Sequence, residues 1–435
     1  LGLTLSDGSV VGERVKVKRA SRGSVDRMVA SPFYRADSIR ENYNGLTLGL
    51  GKNWSVEFRA FNDGVAYRFV TREKKPFEIL SETVEFQFPD DAMTAVPYVA
   101  TGNDGDFRSQ FSNSFENMYT QAPLSQLNNA RLAFLPLVVE SPEGVKVCIS
   151  ESGLDNYPGL YLNSTAPSTT LKGVFPPYPS EVEPGGYIQL MVKDVENYIA
   201  KVDGPRELPW RMAVVTADDK DLAATDMTYL LAEPSKIQDI SWIRPGKVAW
   251  DWWNDWNIDG VDFVSGINND TYKYYIDFAS KNGIEYVILD DGWSDNDNAD
   301  LFKVNDNIDL PMLIKYASDR NVGLILWAGY RAFDKDTERV CKHYADMGIK
   351  GFKVDFMNRD DQPLTEFIAR AAETAARHRL VLDLHGMYKP AGLNRTYPNL
   401  LNFEGVFGLE NMKWADKDCD HLKYNVMVPF LRQVA

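Results

Sequence analysis

Over the first 236 residues, apolar and polar side chains tend to alternate one by one. WSVEFRAFNDG (54–64), VAYRFV (65–70), ETVEFQF (82–88), KVCISES (146–152), IQLMVKDV (188–195) and WRMAVVTA (210–217) follow this rhythm, as does the shorter VKVKRA (15–20). A period of two sends successive side chains to opposite faces of a strand, and these runs are rich in the β-branched and aromatic residues that suit a pleated surface. Turn signals such as Asn62-Asp63-Gly64 and Pro184-Gly185-Gly186 separate them. Helical spacing is nearly absent until the patch DLAATDMTYLLAEP (221–234). The pattern predicts an N-terminal domain over 1–236, a β-sandwich whose sheets each bury one face.

After Ile243-Arg244-Pro245-Gly246, which reads as a connector, the rhythm becomes strand, loop, helix. Six strand candidates follow: KVAWDWW (247–253), EYVILDDGW (285–293), VGLILWA (322–328), IKGFKVDF (349–356), RLVLDLHG (379–386) and LLNFEGVFG (400–408). Amphipathic helices fall between most of them, for example TYKYYIDFASKNG (271–283) and PLTEFIARAAETAARH (363–378). Such alternation predicts parallel strands with helical crossovers, either doubly wound or closed into a barrel. Polar or aromatic residues at the strand ends favour the barrel: Asp251, Asp290 and Asp291, Trp327, Asp355, His385 and Glu404. A barrel gathers its strand ends around one mouth. No GxGxxG follows the first strand, which counts against a dinucleotide-binding sheet. The expected fold is therefore α/β plus all-β, a sandwich followed by a (β/α)8-type barrel over 237–435. Its six strands are two short of closure.

Charge and composition narrow the partners. A formal net charge of −15 sets the chain against nucleic-acid phosphates and suits a neutral substrate or a bound cation. Aromatic residues make up 12%, with 10 Trp and 21 Tyr, and such rings pack well against the C–H faces of sugars. Cys148, Cys341 and Cys419 form no CxxC pair and argue against a disulfide framework. No apolar run is long enough to span a bilayer, and the first residues carry no basic-then-apolar leader. A monomer is expected.

The strand ends offer a specific chemistry. Glycosidic cleavage needs two carboxyl groups flanking the anomeric carbon, one to attack it or to activate water, the other to protonate the leaving oxygen. Asp355 closes the fourth strand and is the candidate nucleophile, although a strand-end Asp also serves as a helix cap. Lys353 shares its facing and is expected to favour the ionised carboxylate. Glu410, among Phe407, Leu409 and Trp414, is the candidate general acid, since apolar surroundings raise a carboxyl pKa; taken alone it would be an ordinary exposed loop residue. His385 is expected to contact a sugar hydroxyl. Asp290 and Asp291 are candidate hydroxyl acceptors beside Trp293 as a stacking face, with Asp251-Trp252-Trp253 a weaker case of the same kind.

In order along the chain, FNDGVAYRF, FENMY, WDWWND, LDDGW, KVDFM, LHGMYKPAGLNRTYPN, NFEG and the distal Glu410 resemble glycoside hydrolase family 97. The resemblance covers nearly the whole chain and breaks off before the last two barrel strands and the family's small C-terminal β domain. It implies an N-terminal β-sandwich, a (β/α)8 barrel and a calcium ion that takes part in catalysis. It also implies that Glu410 is the acid/base, and that Glu404 and Glu116 join Glu410 as ligands of the ion. The family's inverting branch, α-glucosidases, carries a base Glu where this chain has Gly386. Its retaining branch carries an Asp nucleophile where this chain has Asp355. The resemblance therefore implies a retaining exo-glycosidase that releases terminal α-galactose from oligosaccharides through a covalent glycosyl-enzyme, in the periplasm or secreted. The alternatives are a β-L-arabinopyranosidase, whose sugar is α-galactose without its CH2OH, an inverting α-glucosidase, or a carbohydrate-binding protein without turnover.

Overall fold

A computed structural model of the protein describes all residues from 1 to 435 except 14, 101 and 435. Strand Trp210–Thr216 shows how the sandwich is specified. Trp210, Met212 and Val214 are buried together, and the strand pairs antiparallel with Lys146–Ser152 on one side and Gly64–Thr71 on the other. The main sheet continues outward through Trp54–Phe61, Ser38–Gly49 and Arg19–Ala30 in one direction, and through Leu137–Glu140, Met93–Val96 and Thr120–Pro123 in the other. A smaller sheet of Ala200–Val202, Phe77–Thr83, Gly2–Leu5 and Val10–Val11 supplies Leu3, Ile79 and Val202, which share one buried cluster with Val56 and Phe69 of the main sheet.

Three local expectations shift. The run VKVKRA enters the sheet only at Arg19, and Val17 ahead of it stays exposed. The run beginning at Ile188 becomes a strand only at Leu190, since Tyr187 and Ile188 form a tight turn. The helical patch splits into Asp219–Ala224 and Met227–Leu231; Thr225 in the break donates its hydroxyl to Asp63 at 2.7 Å.

The second half is one parallel sheet of six strands in chain order: β1 (Val248–Trp250), β2 (Tyr286–Leu289), β3 (Gly323–Gly329), β4 (Gly351–Asp355), β5 (Val381–Leu384) and β6 (Leu400–Phe403). No pairing joins β6 to β1 among the described residues, so the barrel is open on that side. Helices α1 (Asn269–Asn282), α2 (Leu310–Ser318), α3 (Tyr330–Lys335), α4 (Thr337–Met347) and α5 (Gln362–Arg377) supply the crossovers. In α5 the buried Leu364, Phe367, Ile368, Ala371, Ala372 and Ala375 keep helical spacing, and Asp361 caps its start by accepting from the Leu364 N–H. All five residues of β4 are buried, as both faces of a parallel strand require. Phe352 packs outward on Phe333 of α3, while Lys353 and Asp355 lie on the inner side with Trp327 and Asp383. A last helix, α6 (His421–Arg432), returns to the sandwich, where Leu431 joins a buried cluster with Trp210 and Met212.

The two halves are joined by charge as well as by apolar contact. Arg211 of the sandwich grips Glu82 through two hydrogen bonds of 2.9 and 2.8 Å and also binds Glu151. Glu151 in turn accepts from Lys389 of the barrel at 2.5 Å. The loop after β4 is held from the sandwich as well. Asn113 N–H donates to the Asn358 carbonyl at 3.0 Å, Gly159 N–H to the Asp360 carbonyl at 2.8 Å, and the Tyr161 hydroxyl to the Asp360 carboxyl at 3.0 Å.

Candidate active site

Strand ends and their loops carry the site. Asp355 ends β4, and three donors orient its carboxylate. Trp327 Nε1–H, at the end of β3, and Lys353 Nζ reach Oδ2 at 3.1 and 3.3 Å, and the Phe356 N–H reaches Oδ1 at 2.6 Å. Lys353 also donates to Asp290 Oδ2 at 2.8 Å. Burial opposes the Lys353 charge, but Asp290 and Asp355 outweigh it and raise its pKa above the ordinary lysine value. Lys353 is thus a fixed cation between two carboxylates, on the same inner face as Asp355.

Glu116, Glu404 and Glu410 converge from three places. Glu116 comes from the sandwich loop that bears FENMY, Glu404 follows β6, and Glu410 stands in the loop beyond. One carboxylate oxygen of each lies within 4.8 Å of the others. Burial and then the charge of Glu404 push Glu116 up to about 8, with smaller contributions from Glu410 and Asp355. The same two causes raise Glu410 to about 6, while Lys353 and His385 pull it down. Glu410 is a partly buried carboxyl whose field includes Asp355.

One expectation needs correction. Trp293 offers no stacking face: its ring is fully buried against Tyr344, and its indole N–H donates to the Trp327 carbonyl at 2.8 Å. Asp290 is buried and accepts from Lys353, from Trp250 Nε1–H at 2.5 Å and from the Asp291 N–H at 2.8 Å. His385 likewise has both ring nitrogens engaged inside the protein, Nε2 with Asp383 at 3.1 Å and Nδ1 with Glu404 at 3.2 Å. Burial disfavours its charge, yet Asp383 and Glu404 prevail and hold its pKa well above the ordinary histidine value. Its Nδ1 contact positions Glu404. Asp291 follows Asp290 in the chain; it is half-buried, its Oδ1 is itself buried and without a hydrogen-bond partner, and burial together with Asp290 raises its pKa to about 6. Asp251 is fully buried, accepts from Tyr272 at 2.8 Å, and is raised to about 7 by burial and Asp290; it braces β1 against β2. Trp253 is half-exposed at the mouth.

Sequence reasoning missed Asp383 and Trp250, the partners of His385 and Asp290. Both were within reach of the two-residue period, since each lies inward on a strand already identified. Gly386 has φ +57°, and a Cβ there would come within 2.3 Å of Asn358 Oδ1.

The family model described as Glycosyl-hydrolase 97 N-terminal matches residues 1–234, and the one described as Glycoside hydrolase 97 matches residues 252–406. A retaining alpha-galactosidase of Bacteroides thetaiotaomicron is 61% identical over 437 residues, which cover 100% of this chain and 66% of that protein. A probable retaining alpha-galactosidase of Streptomyces bingchenggensis is 28% identical, covering 100% of this chain and 60% of its own length. The chain thus spans 66% and 60% of the length of these two relatives. Among solved structures, a Glycoside Hydrolase Family 97 enzyme from Pseudoalteromonas sp. strain K8, in complex with acarbose, superposes with a TM-score of 0.84 at 23% identity, over 100% of this chain and 68% of that one. A beta-arabinopyranosidase superposes at 0.81 with 25% identity over the same shares.

Proposed function

The chain belongs to glycoside hydrolase family 97, and from that premise we propose that it acts as a retaining exo-α-galactosidase on oligosaccharides, in the periplasm or outside the cell. The observation that carries the retaining mechanism is the pairing of an oriented Asp355 with a bare position 386. A water-activating carboxylate at 386 would need a side chain in a left-handed backbone and in space that Asn358 already fills. The inverting reading loses its base on this ground.

In the first step Asp355 attacks the anomeric carbon of the terminal galactose, and the glycosidic C–O bond breaks as Glu410 gives its proton to the leaving oxygen. Trp327 and Lys353 hold Asp355 on line, so little reorientation is needed as its charge is lost to the new bond. In the second step Glu410 takes a proton from water, the water oxygen attacks the anomeric carbon, and Asp355 leaves.

Glu116, Glu404 and Glu410 together suit a calcium ion. They are hard oxygen donors close enough to share one cation, and burial followed by the charge of Glu404 raises the pKa of Glu116. When bound, the ion would neutralise this cluster and polarise a substrate oxygen. Glu410 has two oxygens, so one can serve the cluster while the other handles the proton.

A second reading, β-L-arabinopyranosidase, has support in the beta-arabinopyranosidase of matching fold. The relative at 61% identity favours galactose. Paired kinetics on the two p-nitrophenyl glycosides separate these readings. The mechanism is tested with Asp355→Gly: turnover should vanish, and azide should restore bond cleavage with an inverted glycosyl azide. A retained azide adduct would place the nucleophile elsewhere.

A further inference from the structure

We infer that Asn113 is a positioning residue that ties the ion-binding carboxylates to the loop following the nucleophile, so that the sandwich sets the geometry of a site whose chemistry lies on the barrel. The inference rests on the calcium reading and goes beyond it. Glu116 stands in the irregular stretch between the short helix Phe107–Gln110 and strand Thr120–Pro123, where no ladder of backbone hydrogen bonds fixes the chain. A ligand carboxylate on such a stretch must be held by other contacts, because a loosely placed ligand weakens a metal site.

Asn113 supplies them. It is buried, and its backbone N–H and both ends of its amide are used. Oδ1 accepts from the Phe115 N–H at 3.0 Å, closing a side-chain turn directly before Glu116. An N–H can only donate, so this contact fixes which end of the amide is oxygen. The turn sets Phe115 at φ 61°, in the left-handed region that a phenylalanine seldom adopts, with its ring buried edge-on to Phe134. Nδ2 donates to the buried Tyr161 hydroxyl at 3.1 Å, and that hydroxyl donates to Asp360 Oδ1 at 3.0 Å. The Asn113 N–H donates to the Asn358 carbonyl at 3.0 Å. Asn358 and Asp360 both belong to the loop that follows Asp355.

The chain of bonds continues to a second ligand. The Asn358 N–H donates to the Gly386 carbonyl at 2.7 Å, and the Gly386 N–H donates to Glu404 Oε2 at 3.2 Å. His385 Nδ1 meets the same oxygen, so both contacts pin Oε2, and Oε1 has no hydrogen bond among the described residues and is available to a cation. Asn113 thus stands where two branches meet. One runs through Phe115 to Glu116, the other through Asn358 and Gly386 to Glu404. The loop it grips is strained as well, with Phe356 at φ 62° and Asn358 at φ 49°. Such conformations persist where their surroundings over-determine them, and the sandwich contributes that constraint through Asn113 and Tyr161. A residue that merely filled space would not reach both ligands and the nucleophile loop through directed bonds.

The test compares Asn113→Ala, Asn113→Ser and Tyr161→Phe in the full-length protein. Calcium alone is titrated into chelator-stripped samples in a calorimeter, and kcat and KM are measured at saturating calcium. Asn113→Ala should weaken calcium binding roughly 10- to 100-fold. Asn113→Ser keeps an oxygen able to accept from the Phe115 N–H and should recover at least about half of that loss on a logarithmic scale. Tyr161→Phe cuts only the branch to Asp360. It should hold calcium within about threefold of wild type and lower kcat roughly 10-fold, with KM little changed. Wild-type calcium affinity in Asn113→Ala, or equal weakening in Asn113→Ala and Asn113→Ser, would overturn the inference and leave the calcium reading standing. An unchanged kcat in Tyr161→Phe would overturn it too, and that variant decides the matter if Asn113→Ala does not fold. Wild-type protein that takes up no calcium would overturn the calcium reading and the inference with it.

Discussion

Replacing Lys353 with Met removes, at nearly constant volume, the one cation among the described residues that contacts both Asp290 and Asp355. The three side chains are 3%, 6% and 12% exposed, so water cannot readily take the lysine's place. Stranding a buried charge by deleting its partner costs about 3–5 kcal/mol. Asp290 keeps donors from Trp250 and the Asp291 N–H, and Asp355 keeps those from Trp327 and Phe356, which places the loss at the lower end, about 3 kcal/mol. That is a large part of the 5–15 kcal/mol typical of a domain (order of magnitude). The decisive measurement is a double-mutant cycle. Asp290→Asn removes the charge that Lys353→Met strands, so the double variant should recover about half of the loss in denaturant unfolding. Activity should not recover with it, since Asp355 still lacks its neighbouring cation. A single-variant loss under about 1 kcal/mol, or two losses that simply add, would refute the pairing.

Glu410→Gln should slow substrates with poor leaving groups by about 10²–10⁴, with much smaller losses on activated aryl glycosides; equal losses would remove the acid role. A chelator should lower activity and added calcium should restore it, whereas full activity in excess chelator, with no metal found by elemental analysis, would dismiss the ion. Gly386→Ala should destabilise by about 1–2 kcal/mol through its left-handed backbone, with more from the clash with Asn358. An unchanged melting temperature would contradict that geometry.

The barrel was the most legible part of the sequence, because its strands impose a period of two and its helices one of 3.6. Asp355 and Lys353 could be placed on one inner face from spacing alone. What spacing could not supply was the depth of each strand end. LDDGW reads the same whether its Trp faces a cleft or a core, and only the packing of Tyr344 puts Trp293 in the core. His385 looked free because its two carboxylate partners are one inward strand neighbour and one residue from the next strand. Glu116 is more than 280 positions from Glu404, and local patterning says nothing about such a meeting; it became visible through family resemblance. The turn at Tyr187 contradicts the alternation around it, because contact of Ile188 with Gly329 outweighs local preference there.

The shared carboxylate Glu151, held by Arg211 from one half and by Lys389 from the other, bears on how this protein could be cut. An isolated barrel fragment would expose a lysine made for burial, and an isolated sandwich would leave the glutamate half-neutralised beside its arginine. Expression of either fragment should give insoluble material.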